Sequence, residues 1–135
     1  MLILISDAFD PSLEDKLAKY GQVTTDKERL AEADVVLIRS KTRCDREYID
    51  QAPNLKMIVR GGVGTDNIDK AYCAEKGIVV HNTPKAPAVA VAELAFAMML
   101  AVPNNLIQAH QTMSAGEWAK KQLKRTELCG KTLGL

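Results

Sequence analysis

The sequence predicts an α/β fold, a flavodoxin-like doubly wound parallel sheet, and three observations carry that expectation. Short β-branched runs recur through the first part of the chain, as at Leu2-Ile3-Leu4-Ile5, Val35-Val36-Leu37-Ile38 and Ile78-Val79-Val80. Runs that are apolar at every position suit strands covered on both faces, as parallel strands are. Helix-type segments with capping residues stand between the runs, and strand–helix alternation implies crossovers and a parallel sheet. Polar residues collect just after the runs, where open α/β sheets bind their ligands.

The elements follow in order. After Leu2–Ile5, Asp10-Pro11 offers a cap and a first-turn proline. Leu13, Leu17 and Tyr20 then mark a helical stripe that Gly21 ends. Gln22 to Thr24 reads as a short edge strand, and Asp26 caps a second short helix reaching about Ala33, with Leu30 its apolar contact. Val35–Ile38 is the third strand and runs into the polar, basic loop Arg39-Ser40-Lys41-Thr42-Arg43. Asp45 caps a short helix through Ile49, and Pro53-Asn54 breaks the chain before the strand Lys56 to Arg60. A helix carrying Ile68, Ala71, Tyr72 and Glu75 stops at Gly77, and Ile78 to His81 is the fifth strand, ended by Asn82-Thr83-Pro84.

The stretch Met57 to Asn67 is the centre of this arrangement. Gly61, Gly62 and Gly64 let the backbone turn sharply and approach a ligand. Thr65 or Asp66 can cap a helix starting near Ile68, and amides exposed at a helix start favour anions. Arg60 adds a positive charge beside them. An anion-binding loop and a plain strand-to-helix turn with a surface arginine both fit these residues. The shared placement of Ser6-Asp7, Arg39-Ser40, Arg60 and Asn82 after their strands favours the ligand reading.

Beyond the sheet the pattern changes. Ala88 to Ala101 is apolar nearly all round, with Glu93 its one charge, so this helix needs a cover from a second domain or a partner chain. Pro103 kinks or ends it, and Asn104 can cap a continuation to about Ala115. Gly116-Glu117-Trp118 leads into the basic stretch Lys120 to Arg125, and Thr132 to Leu135 has the pattern of an opening strand.

Composition narrows the function classes. The 135 residues are 47% hydrophobic and 26% charged, ordinary for a globular domain. A net charge of +1 and 4% aromatic residues argue against nucleic-acid and anionic-membrane partners. Cys44, Cys73 and Cys129 are odd in number and lack the CxxC or Cys/His spacing of a zinc site, so no metal is expected and a reducing cytoplasm fits. The chain opens on a strand pattern, with no secretory signal visible, and the run from Ala86 to Val102 is too interrupted by Pro87 and Glu93 for a convincing membrane span. His81 reads as a structural residue at a strand end, His110 as exposed, and Trp118 as a packing residue.

Several segments, taken together and in order, resemble the NAD-dependent D-2-hydroxyacid dehydrogenase family. They are Arg39-Ser40-Lys41-Thr42, the run Arg60 to Asp69, Gly77-Ile78-Val79-Val80, Asn82-Thr83-Pro84, Val91-Ala92-Glu93-Leu94, Gly116-Glu117-Trp118, and Glu127 to Gly134. The resemblance covers nearly the whole chain. It implies a substrate-binding domain over 1–87, an interdomain and dimerisation helix region over 88–115, and over 116–135 a linker and the first strand of an NAD-binding Rossmann domain. The chain is then expected to be the amino-terminal part of a longer polypeptide, inactive by itself, with the catalytic residues and the GxGxxG loop further along.

For the site, the resemblance implies substrate contacts from Arg39, Ser40 and Arg60, the arginines at a phosphate end, and from Gly61, Gly62 and Val63 backbone N–H groups at a carboxylate. Val63 is also expected to reach the nicotinamide side of the cleft, making NAD the implied cofactor, held mainly by the further domain. The implied reaction is oxidation of the CH–OH group of a D-2-hydroxy acid, with 3-phosphoglycerate favoured, which is the first step of serine biosynthesis. The implied assembly is a homodimer through the 88–115 region. The alternative is a stand-alone flavodoxin-like anion-binding or dimerisation module without catalysis. A phosphoreceiver would need an acid where Arg39 stands, and a flavin domain a hydroxyl-rich loop where Ser6-Asp7-Ala8-Phe9 stands.

Overall fold

The computed structural model describes residues 1–134. The chain forms two compact units, Met1–Pro87 and a second beginning at Ala88. The first unit holds one five-stranded sheet: β1 (Leu2–Ile5), β2 (Gln22–Thr24), β3 (Val35–Ile38), β4 (Met57–Arg60) and β5 (Val79–Asn82). The strands are parallel in the order β2-β1-β3-β4-β5, the flavodoxin-like order expected from the alternation.

Helices α1 (Ser12–Ala18), α2 (Arg46–Asp50) and α3 (Lys70–Glu75) and a 3-10 turn at Lys27–Glu32 connect the strands. Register explains the core. Leu4 stands opposite Val36, and Val36 opposite Ile58. All three are fully buried on one face, against Leu30 of the 3-10 turn, Ile49 of α2 and Cys73 of α3. Ile3, Ile5 and Leu37 point to the other face, where Leu13 and Leu17 of α1 pack with Phe9. Two-faced burial is what the unbroken apolar runs require, and each fully buried aliphatic contributes about 1.5–3 kcal/mol.

Four local expectations are corrected. Asp26 does cap the second short segment, accepting from Glu28 N at 3.0 Å, but its helix is of the tighter 3-10 kind. Tyr20 lies past the end of α1 and is exposed, so the α1 stripe is Leu13 and Leu17 alone. Gly21 is not a left-handed cap. A Cβ there would collide with the Met1 carbonyl oxygen, which accepts from Gln22 N at 3.0 Å as β2 joins β1. The helix after the glycine loop starts at Lys70, not near Ile68. Asp69 caps it, accepting from Tyr72 N at 2.9 Å, while Ile68 forms a parallel bridge with Cys44.

The second unit contains α4 (Ala88–Ala101) and α5 (Leu106–Ser114), bent by 63° at the break. Neither helix has a buried residue. Asn104 caps backwards rather than forwards: its Nδ2 donates to the Leu100 carbonyl at 2.9 Å, and Asn105, with φ 53°, makes the turn into α5. Glu93 is exposed in the second turn of α4. Gly116, with φ 80°, follows α5. Lys131–Gly134 pair with no strand, since a parallel strand forms only beside a neighbour, and Leu135 lies outside the described residues. Among the described residues, no single helix is long and apolar enough to cross a membrane.

Candidate functional site

The carboxyl ends of β1, β3, β4 and β5 open into a cleft of about 530 Å³ within the first unit. Arg39, Ser40, Arg60, Gly61, Gly62 and Val63, the six residues expected at the site, all line it. Phe9, Thr83, Ala86 and Pro87 complete the wall. Parallel register produces this gathering, because Ile38 stands opposite Arg60 and Arg60 opposite Asn82. The chain therefore leaves β3, β4 and β5 at the same level of the sheet.

The glycine loop is held in one shape. Gly61 N donates to the Ile38 carbonyl at 2.8 Å, extending the β3–β4 ladder. Gly62 N donates to Thr83 Oγ1 at 2.9 Å, and Thr83 N returns a bond to the Gly62 carbonyl at 3.0 Å. Asn82 Nδ2 donates to the Val63 carbonyl at 2.6 Å. Two of the three amides expected to meet a carboxylate are thus already engaged. Among the described residues, the amides of Val63 and Gly64 donate to no protein acceptor. The loop is not a helix start, so the helix dipole gives it no pull on an anion. The groups in the cleft that can attract an anion are the Val63 amide and the two arginines.

Gly62 is needed for two reasons. Its φ of 144° is one that L side chains rarely adopt, and a Cβ would run into the Arg60 guanidinium folded over it. Arg60 Nε is buried there without a partner in the protein. Arg39 is exposed, its Nη1 donating to the Ala8 carbonyl at 3.3 Å. Both guanidiniums remain free of carboxylate partners among the described residues, so their forks can take phosphate or carboxylate oxygens.

Sequence reasoning missed what holds the Arg39 loop. The Asp7 side chain, buried after β1, accepts from Arg39 N at 2.6 Å, Thr42 N at 3.1 Å and Thr42 Oγ1 at 2.7 Å. Burial alone would raise the Asp7 pKa. The Thr42 hydroxyl and the two amides outweigh it and hold the carboxyl below its ordinary value. From the opposite side, Asn67 Nδ2 donates to the Arg39 carbonyl at 2.8 Å and the Thr42 carbonyl at 2.7 Å. The signal for Asp7 was its place after a buried strand; its reach to a loop more than thirty residues on was invisible in the sequence.

The other candidates fall outside the cleft. His81 is exposed on β5, and His110 is exposed on α5. Trp118, 76% exposed, borders an apolar hollow of the second unit with Ala109, Met113 and Leu123. Cys44 and Cys73 are core residues, the Cys44 thiol pushed up to about 12 by burial. Among the described residues, no group of three or more His, Cys, Asp or Glu is placed to hold a metal.

Comparison with known proteins gives the geometry its context. A family model described as D-isomer specific 2-hydroxyacid dehydrogenase, catalytic domain, matches residues 3–125. D-3-phosphoglycerate dehydrogenase of Methanocaldococcus jannaschii is 47% identical over 108 residues, 80% of this chain and 21% of the relative. Hydroxypyruvate reductase of Thermotoga maritima is 48% identical over 106 residues, 78% of this chain and 35% of the relative. The chain thus spans between about a fifth and a third of the length of these two relatives. Among solved structures, NAD-dependent formate dehydrogenase from Staphylococcus aureus in complex with NAD superposes with a TM-score of 0.75 at 26% identity, covering 91% of this chain and 44% of that one.

Proposed function

This chain belongs to the D-isomer specific 2-hydroxyacid dehydrogenase family, and we propose that its first unit is the substrate-binding part of an NAD-dependent oxidoreductase acting on the CH–OH group of a D-2-hydroxy acid. The observation that carries the reading is the cleft itself: two guanidiniums without carboxylate partners and Val63, whose amide is free, line the same cleft. The Val63 amide holds the substrate carboxylate. Arg60 and Arg39, with the Ser40 hydroxyl beside them, take a second anionic group further along the molecule. A phosphorylated acid, 3-phosphoglycerate, supplies that second group, which would put the full-length protein at the start of serine biosynthesis.

The cleft binds but has no proton-transfer group. No carboxylate or histidine lines it, and guanidiniums keep their protons at any working pH. In this reading the chain orients substrate and the acid–base residue is supplied by the rest of the full-length protein. NAD, when bound, supplies the hydride acceptor. The described residues fit it only at an edge: Val63 is apolar and 54% exposed at the cleft rim, suited to the flank of a nicotinamide ring. The Gly61–Gly64 loop is occupied in framing the substrate cleft and opens no helix, so it suits no pyrophosphate. Residues 88–115 would then join the two domains and carry a homodimer contact.

The test is kinetic, in the full-length protein. Arg60→Ala removes a charged hydrogen-bonding partner worth about 1.5–3 kcal/mol, so KM for 3-phosphoglycerate rises roughly ten- to a hundredfold. KM for unphosphorylated D-glycerate rises much less. An unchanged KM for the phosphorylated acid removes Arg60 from the site and with it this assignment of substrate.

A further inference from the structure

The Arg39 loop has no regular structure of its own, and its shape comes from two side chains outside it. We propose that Asp7 is a positioning residue for substrate binding, acting with Asn67 to clamp Arg39–Thr42 so that the Arg39 side chain and Ser40 face the cleft. The inference rests on the reading of Arg39 as a contact to the substrate's second anion. The labour is divided at the loop's two ends: Asp7 takes the N–H groups of Arg39 and Thr42 and the Thr42 hydroxyl, and Asn67 takes the carbonyl groups of the same two residues. Neither residue lines the cleft.

Position in the chain makes the clamp stiff. Asp7 follows β1, and Ser6 N donates to the Leu37 carbonyl at 2.9 Å, continuing the β1–β3 ladder to its doorstep. Asn67 is pinned next to the Cys44–Ile68 bridge, where Cys44 N donates to the Asn67 carbonyl at 2.8 Å. The loop is thus fastened to the sheet on one side and to the entry into α3 on the other. Arg39 gains a fixed base from which its guanidinium spans to Ala8 and the cleft. Without the clamp the binding-competent loop becomes one conformer among several, and apparent affinity falls by the fraction of time it is populated.

The chemistry of the carboxylate selects the variants. Asp7→Ala deletes three acceptor contacts at once. Asp7→Asn can keep them, with its oxygen accepting from both amides and its NH2 donating to the Thr42 hydroxyl, which accepts as well as donates. In the full-length protein Asp7→Ala should raise KM for 3-phosphoglycerate about tenfold with kcat nearly unchanged, whereas Asp7→Asn stays close to the parent. The effect should shrink markedly in an Arg39→Ala background, because the clamped loop then has only Ser40 left to position. Should Asp7→Ala fail to fold, Asn67→Ala and Thr42→Val carry the same test with smaller rises in KM. Additive KM effects of Asp7→Ala and Arg39→Ala, or an unchanged KM in the folded clamp variants, overturn the proposal. If Arg39→Ala alone leaves KM unchanged, the fault lies in the reading of Arg39 as a substrate contact, and the clamp loses its purpose with it.

Discussion

The two units handle apolar residues in opposite ways. Every buried hydrophobic residue among those described lies between Leu2 and Ile78, in the first unit. The second has the more continuously apolar helix, yet Val89, Val91, Phe96 and Leu100 of α4 are all more than half exposed. Apolar content alone therefore does not make a core. The first unit alternates strands with short helices, and β1, β3 and β4 each lie between two neighbours, leaving exposure to the edge strands β2 and β5. The α4 helix is apolar on every side, so no single neighbour can satisfy it. Its sequence is written for surroundings on several sides, and the exposed surface is far too apolar to be left to water in a working protein.

The sharpest break of this comparison is a pair of truncations. Ile58→Ala removes a side chain that is fully buried between Val36 and Val80 in the sheet register. It should cost about 2–5 kcal/mol, read as a large fall in the urea midpoint of the first unit. Phe96→Ala on α4, where the ring is 63% exposed, should shift that midpoint hardly at all. Equal losses would mean that α4 contributes to the stability of the chain, and the contrast between the units would fail.

A second substitution tests what covers α4. Leu94→Glu places a charge on an exposed apolar helix, so this chain should stay folded and become more soluble. If the full-length protein is a homodimer through residues 88–115, as proposed above, the same charge should drive the dimer toward monomer in analytical ultracentrifugation. A dimer that survives Leu94→Glu at micromolar concentration moves the contact elsewhere.

The sheet was legible because its signals are local. Continuous β-branched runs mark the strands, and Asp26 and Asp45 cap the segments they were expected to cap. That Arg39, Ser40, Arg60, Gly61 and Gly62 would line one cleft was legible through their shared place after strands, which parallel register converts into shared space, whereas Val63 was named only through the family resemblance. What was not legible depends on contacts across the chain. The start of α3 moved because Ile68 is pulled into a bridge with Cys44, leaving Asp69 as the cap. The engagement of the Gly62 amide depends on Thr83, twenty-one residues later, and Asp7 meets its loop through the β1–β3 pairing. Gly21 looked like a helix stop and is a close approach to Met1. Each of these depends on which strand lies beside which, and no window along the sequence contains that.

The smallest expected effect concerns pH and belongs wholly to the first unit. The Asp7 carboxyl has its folded pKa held below the ordinary 3.8 by hydrogen bonds from Thr42 and the Arg39 amide. A depressed carboxylate contributes stability that is fully present above the unfolded value and is lost as pH falls through the folded one. Loosening of the Arg39 loop should therefore begin only below about pH 3.8. Other carboxylates titrate low as well: Asp10 through Ser12, Asp34 through Lys56, and Asp50 through Tyr72 and Lys76. Global unfolding consequently mixes several groups, and the local reporters are the amide resonances of Arg39 and Thr42. In the parent chain both should move as pH is lowered from 5 toward 2, before the signals of Val36 in the core. In Asp7→Asn, which has no proton to gain, they should stay in place until the whole unit melts. Resonances that move alike in both chains would show that the loop responds to the general loss of charge pairing and not to Asp7.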